Sequence, residues 1–269
     1  MLGFGKKQDL GEIAPQGRRL LGFTIDTNEP VWAPPGHGSV FGANGAGKST
    51  RVSMIAIFSY MNTAREQPVM VCDVKDGELA AQCVAMLVAF GIPVAVIDDL
   101  NVRPELAQYR VSLNAFGAIV AAYKDDPRDV IFAIETITNA LIPEPNNDQK
   151  NKYWRAWARL LIEFAIRYLL KRDPDLCTPG AAAVILADFE MLVSFAEIEA
   201  EDGEEGDEFL PSLAKAILGM QHHEHMPQHL EEAQRSLRLF ARGTRLHDVG
   251  KEADCSHADL IRRGGVIFM

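Results

Sequence analysis

The run Gly42-Ala43-Asn44-Gly45-Ala46-Gly47-Lys48-Ser49-Thr50 narrows most sharply what this chain folds into. Glycines at 42, 45 and 47 let a backbone curl until successive N–H groups point inward at one anion. The residues that follow, 49–61, read as a helix whose positive end adds to that field. Residues 38–41, just before the turn, are expected as an apolar strand. In this layout Lys48 reaches the β- and γ-phosphates of a nucleotide and Ser49 holds Mg²⁺. The expectation is therefore an ATP and Mg site over residues 42–50, with Lys48 as its catalytic cation.

Downstream, apolar runs alternate with helical patterns. Residues 68–72 and 93–97 read as strands, with a helix at 78–90 between them. Short, fully apolar strands separated by helices imply an α/β fold with a parallel sheet covered on both faces. From about Ala121 the texture becomes helical. Residues 148–171 carry Trp154, Trp157, Leu161, Phe164, Ala165 and Tyr168 at spacings of three and four, a stripe that buries one helix face. Thr178-Pro179 reads as a cap followed by proline at the first helical position, opening a helix that runs to Phe195. Further helices are expected at 210–220 and 230–240, and residues 265–269 read as one more core strand. The expected division is a nucleotide-binding α/β domain at 1–122, an all-helical domain at 123–255, and a return strand at 256–269.

Charge limits the partners. The 269 residues carry a net −10, and residues 197–208 hold eight acidic side chains and no basic one, which leaves the rest of the chain close to neutral. A domain that coats duplex nucleic acid over its whole surface is clearly basic, so that class is excluded. The longest uncharged run, 84–97, is broken by Gly91 and Pro93 and falls short of the roughly twenty apolar residues of a spanning helix. The start lacks the apolar core of a signal peptide, and a cytoplasmic placement is expected. Cys72, Cys83, Cys177 and Cys255 show neither redox nor zinc spacing and are read as reduced thiols.

Hydrolysis would require a carboxylate at a strand end. Asp98, with Asp99 beside it, follows an apolar strand and suits Mg²⁺, but it can equally cap the next turn. Asp73 ends the preceding strand and is expected near the nucleotide without being the metal ligand. Asp188 follows an apolar run whose opening favours helix. His222, His223, His225 and His229 suggest a metal, yet Pro227 interrupts them and no third ligand is spaced to join, so a solvent-facing helix end is expected. Trp154 and Trp157 are expected in the core ahead of any role in stacking bases.

Several stretches together resemble the conjugative coupling ATPases of type IV secretion, the TraG/TraD kind within the FtsK/HerA group of P-loop motors. Residues 42–50 are similar to their nucleotide loop, and Asp73-Val74-Lys75-Asp76-Gly77-Glu78 resembles their Asp-Pro-Lys-Gly-Glu. Ser112-Leu113-Asn114-Ala115-Phe116 resembles their Tyr-Asn-Pro-Leu segment. Tyr153-Trp154 resembles the start of their helical domain, and Ser256 to Leu260 leading to Gly265-Val266-Ile267-Phe268 resembles the return into the motor sheet. The resemblance implies a RecA/FtsK-like P-loop sheet with an inserted all-α domain. In the full protein it implies a hexameric ring at the cytoplasmic face of the bacterial inner membrane. There it would drive relaxase-DNA or effector proteins, met through the helical domain, to secretion-channel proteins. The family's membrane helices and its Leu-Leu-Asp-Glu strand have no counterpart in these residues, so the implied sheet is incomplete and the implied turnover of ATP slight. Two alternatives stand beside it: a non-hydrolytic, nucleotide-dependent binding module, and a small P-loop kinase or GTPase using Asp98 for Mg.

Overall fold

The computed structural model describes residues 18, 20–33, 37, 39–41, 43, 45–63, 67–145, 151–201, 209–253 and 255–269. The chain is a mixed α/β protein that divides into two compact units, Met1–Val111 with Ala258–Met269, and Ser112–His257.

The first unit holds a three-stranded parallel sheet of β3 (Val69–Val71), β4 (Val94–Val96) and β5 (Val266–Phe268), in the order β3-β5-β4. The last strand in the chain is therefore the central one. Val266 lies opposite both Val69 and Val94, and Phe268 opposite both Val71 and Val96. All three β5 residues are buried, which explains why this strand is uniformly apolar. A separate antiparallel pair, β1 (Leu20–Phe23) and β2 (Pro30–Trp32), closes through a turn at 25–27. The helix α1 (Met54–Thr63) contributes Ile57 to the core, and α2 (Glu78–Ala89) contributes Ala80, Cys83, Val84 and Leu87. Those four α2 positions repeat at three and four residues, so one helix face lies on Val96, Val266 and Phe268. The strand expected just before the glycine turn is not formed. Gly38 lies outside the described residues, and Ser39, Val40 and Phe41 have no strand pairing, with Phe41 93% exposed. A strand requires a hydrogen-bonded neighbour as well as apolar side chains.

The second unit is helical. In chain order it comprises α3 (Gly117–Asp125), α4 (Val130–Leu141), α5 (Lys152–Arg172), α6 (Pro179–Ala187), α7 (Phe189–Glu201), α8 (Phe209–Met220) and α9 (Met226–Ser236). A last helix, α10 (His257–Arg263), leads back to β5. The central helix is α5, whose Ala158, Leu161, Ile162, Phe164, Ala165, Ile166 and Leu170 are buried. Thr178 caps α6 by accepting the Ala181 N–H at 3.2 Å, as the Thr-Pro opening predicts. The helix expected to run on to Phe195 instead breaks at Asp188, whose carboxylate accepts the Met191 N–H at 3.1 Å and starts α7. Asp188 is thus a capping residue between helices.

Candidate functional site

Around the glycine turn, Gly42 and Asn44 lie outside the described residues, while Ala43 and residues 45–50 are described. Gly45 and Gly47 hold φ of 78° and 79°, the left-handed region that a side chain disfavours. Ala46 N–H donates to the Ala43 carbonyl at 3.2 Å, tightening the turn. The chain enters a wide helical turn at Lys48–Ser53, which runs directly into α1. Gly47, having no side chain, supplies no capping oxygen to this turn. The Lys48 ammonium donates to the Ala43 carbonyl at 2.9 Å, drawing the lysine back across its own loop. Thr50 Oγ1 donates to the Gly47 carbonyl at 3.4 Å. The Ser49 hydroxyl has no hydrogen-bond partner among the described residues, although its carbonyl accepts from Met54.

The secondary candidates are engaged elsewhere. Asp73 follows β3, and its carboxylate accepts N–H groups of Leu79 at 2.7 Å and Ala80 at 3.0 Å. Gly77, at φ 72°, gives α2 no capping side chain, and Asp73 performs that task from the end of the strand. Asp98 follows β4 and accepts N–H groups of Val102 at 2.8 Å and Arg103 at 2.9 Å, with the Arg110 guanidinium 3.4 Å away. Burial pulls the Asp98 carboxyl upward, but those N–H donors and Arg110 outweigh it and hold the group below the usual carboxylate range. The turn-capping role of Asp98 is the one the structure displays.

Sequence reasoning treated Asp99 only as a neighbour of Asp98. It is exposed at the surface, has no hydrogen bond among the described residues, and its carboxyl is raised by partial desolvation and by the Asp98 charge against the pull of Arg110. A second carboxylate directly after an apolar strand was the signal that marked it. Among the described residues no group of three His, Cys, Asp or Glu side chains could hold a metal ion. A magnesium ion carried by nucleotide phosphates takes a serine or threonine hydroxyl, water and a strand-end carboxylate; of these the glycine turn would supply the Ser49 hydroxyl.

Two expectations for the helical unit are corrected. His229 is not on a solvent-facing helix end; it is fully buried in α9. Trp154 and Trp157 are half-buried, and they meet the His229 ring at centroid distances of 4.8 and 5.7 Å, while Tyr153 meets it at 5.2 Å. The apolar stripe gave the helix face correctly but not the imidazole opposite it. Among the described residues no helix is long and apolar enough to cross a membrane.

Comparison with protein-family models, with curated proteins and with solved structures finds no match to this chain.

Proposed function

We propose that this chain is the ATP-binding portion of a P-loop motor of the type IV secretion coupling kind, with the helical unit as its substrate-facing insertion. The observation that carries the reading is the turn at residues 43–48. Two left-handed glycines lead the chain into a helix start that Gly47 does not cap with a side chain, and Lys48 folds across the same loop. Such a turn offers backbone N–H groups, a helix dipole and one full positive charge to a single polyphosphate. On binding, Lys48 would exchange the neutral Ala43 carbonyl for phosphate oxygens, and Ser49 would meet Mg²⁺. Further support comes from chain order. The helical unit is inserted between β4 and β5, and the chain then returns to the middle of the sheet. That is the arrangement the family resemblance implies. The ring, the secretion channel and the relaxase-DNA or effector cargo belong to the same proposal. The kinase or GTPase alternative requires Asp98 for Mg, and Asp98 already accepts two loop N–H groups and faces Arg110.

Calorimetry with ATP and Mg²⁺ tests the reading. The parent chain should bind, and Lys48→Ala should lose about tenfold to a hundredfold in affinity, the range for one charge-assisted contact. Absence of binding by the parent, or equal binding by Lys48→Ala, removes the nucleotide site from residues 42–50.

A further inference from the structure

A cleft of about 380 Å³ opens in the helical unit, distinct in sequence from the glycine turn. Its walls are Leu169 of α5, Val184 and Ile185 of α6, and Met191 of α7. Tyr168 and Phe195 complete the lining, but their rings are stacked on each other at 4.3 Å and 12°. One face of each ring is thus taken by the other, and the rest of the apolar lining is aliphatic. Such a recess, walled mainly by Leu169, Val184, Ile185 and Met191, suits a branched aliphatic side chain.

The rim has the opposite character. Arg242, His247 and Lys251 border the cleft. Across residues 235–251 stand Arg235, Arg238, Arg242, Arg245 and Lys251 against one carboxylate, Asp248, in a chain of net −10. Arg235 is paired with Glu232 at 3.7 Å, and Lys251 is paired with Asp248. His247 places Nε2 4.0 Å from Asp248, and its Nδ1 lies 3.0 Å from the Phe240 carbonyl. Arg242 is exposed and has no ion-pair partner among the described residues. From the α5 side, Arg172 lies over the Tyr168 ring at 5.3 Å and is paired with the buried Glu199 at 3.1 Å. Arg242 is therefore the cation at this rim left to serve an outside partner.

We propose that this cleft docks an extended, acidic segment of another polypeptide. One leucine or isoleucine of that segment would seat between α5, α6 and α7, with a neighbouring carboxylate on Arg242. Charge complementarity selects acidic over basic segments, and the recessed aliphatic pocket selects a side chain over a flat lipid surface. The inference stands independently of the nucleotide reading, because no wall of the cleft belongs to the sheet unit.

Fluorescence anisotropy on the full chain tests it. The probe is a labelled ten-residue peptide with one leucine among glutamates. Controls replace its glutamates by lysine or its leucine by serine. The leucine-glutamate peptide should bind and both controls should bind at least about fivefold more weakly. Arg242→Glu should weaken it about fivefold or more, because a rim attraction becomes a repulsion. Ala181 of α6 also lines the cleft, and Ala181→Phe should weaken binding by filling the recess. Arg242 is exposed, so its variant keeps the parent circular dichroism and carries the test even if Ala181→Phe fails to fold. Phosphatidylglycerol vesicles and oligo-dT should not displace the peptide. Equal binding of the lysine peptide, parent-like binding by Arg242→Glu, or displacement by vesicles or oligonucleotide overturns the proposal.

Discussion

The imidazole of His229 lies 4.8 Å from the indole of Trp154, tilted by 41°, and neither of its ring nitrogens has a hydrogen-bond partner among the described residues although the side chain is fully buried. Burial, followed by the nearby His225 and His223, lowers its pKa below the ordinary value. The groups around it are Tyr153, Trp154 and Trp157 of α5, and the loop residues His223, Glu224 and His225, with Glu224 3.7 Å from His225 Nε2. Native His229 is therefore neutral where the unfolded chain already takes up a proton, at about pH 6.5 and below. The unfolded state binds more protons in that range, so stability is complete above about pH 6.5 and declines as pH falls toward the native value. Melting followed by tryptophan fluorescence should show a lower Tm at pH 5.5 than at pH 7.5. His229→Leu should flatten that slope and cost little at pH 7.5, since it removes two unpartnered polar atoms from the interior. A parent Tm independent of pH, or an unchanged slope in His229→Leu, would rule this out.

Asp73 separates a structural role from a site role. Its carboxylate caps α2 through Leu79 and Ala80, so Asp73→Ala should cost about 1 kcal/mol of stability, the usual value of a lost helix cap. ATP affinity of the folded variant should stay within about twofold of the parent, well under the tenfold step of one charge-assisted contact. A large affinity loss at unchanged Tm would instead place Asp73 at the nucleotide.

The cysteines give a chemical readout of burial within each unit. Cys83 is buried in α2 and its thiol is pushed up to about 11 by burial, with Asp73 adding to it; Cys177 is pushed up to about 12 by burial alone. Cys72 is exposed and Cys255 partly so. Iodoacetamide at pH 8 should label Cys72 and Cys255 in the native protein, and Cys83 and Cys177 only after denaturation. Four thiols labelled at similar native rates would contradict the burial of Cys83 and Cys177.

Legibility followed how local the determining interactions are. The strands β3, β4 and β5 and the helix α2 could be read because each is a short apolar run bounded by Gly or Asp; β5 is buried throughout as its composition requires, whereas in β3 the apolar Met70 is exposed and only one face is covered. The break at Asp188 carried a visible signal, an Asp followed by Phe-Glu, which the apolar run before it obscured. The cage around His229 was not readable, because periodicity in α5 identifies a face and says nothing of the helix laid against it. In the glycine turn, left-handed backbone at Gly45 and Gly47 was implied by residue type, whereas the engagement of Asp98 depends on Val102, Arg103 and Arg110 folding back on it.

Gly265 is the residue on which the central strand depends. It holds φ of 85° just before β5, where its carbonyl accepts the Val69 N–H at 2.8 Å and the next N–H, of Val266, donates to the Pro93 carbonyl at 2.9 Å. A methyl group at Gly265 would fall inside the van der Waals radius of that same Pro93 oxygen. Alanine there must keep a left-handed backbone, costing about 1 kcal/mol, and must push Pro93 away, costing a further 1–3 kcal/mol or so as overpacking. Because β5 pairs with both β3 and β4, any shift that relieves the clash disturbs both ladders. Gly91, at φ 70° with open space where its methyl would go, isolates the backbone term. Gly265→Ala should therefore lower the Tm by about 5–10 °C and Gly91→Ala by only about 2–4 °C. Equal losses in the two variants would mean that Pro93 yields freely and that the register of the sheet does not rest on this contact.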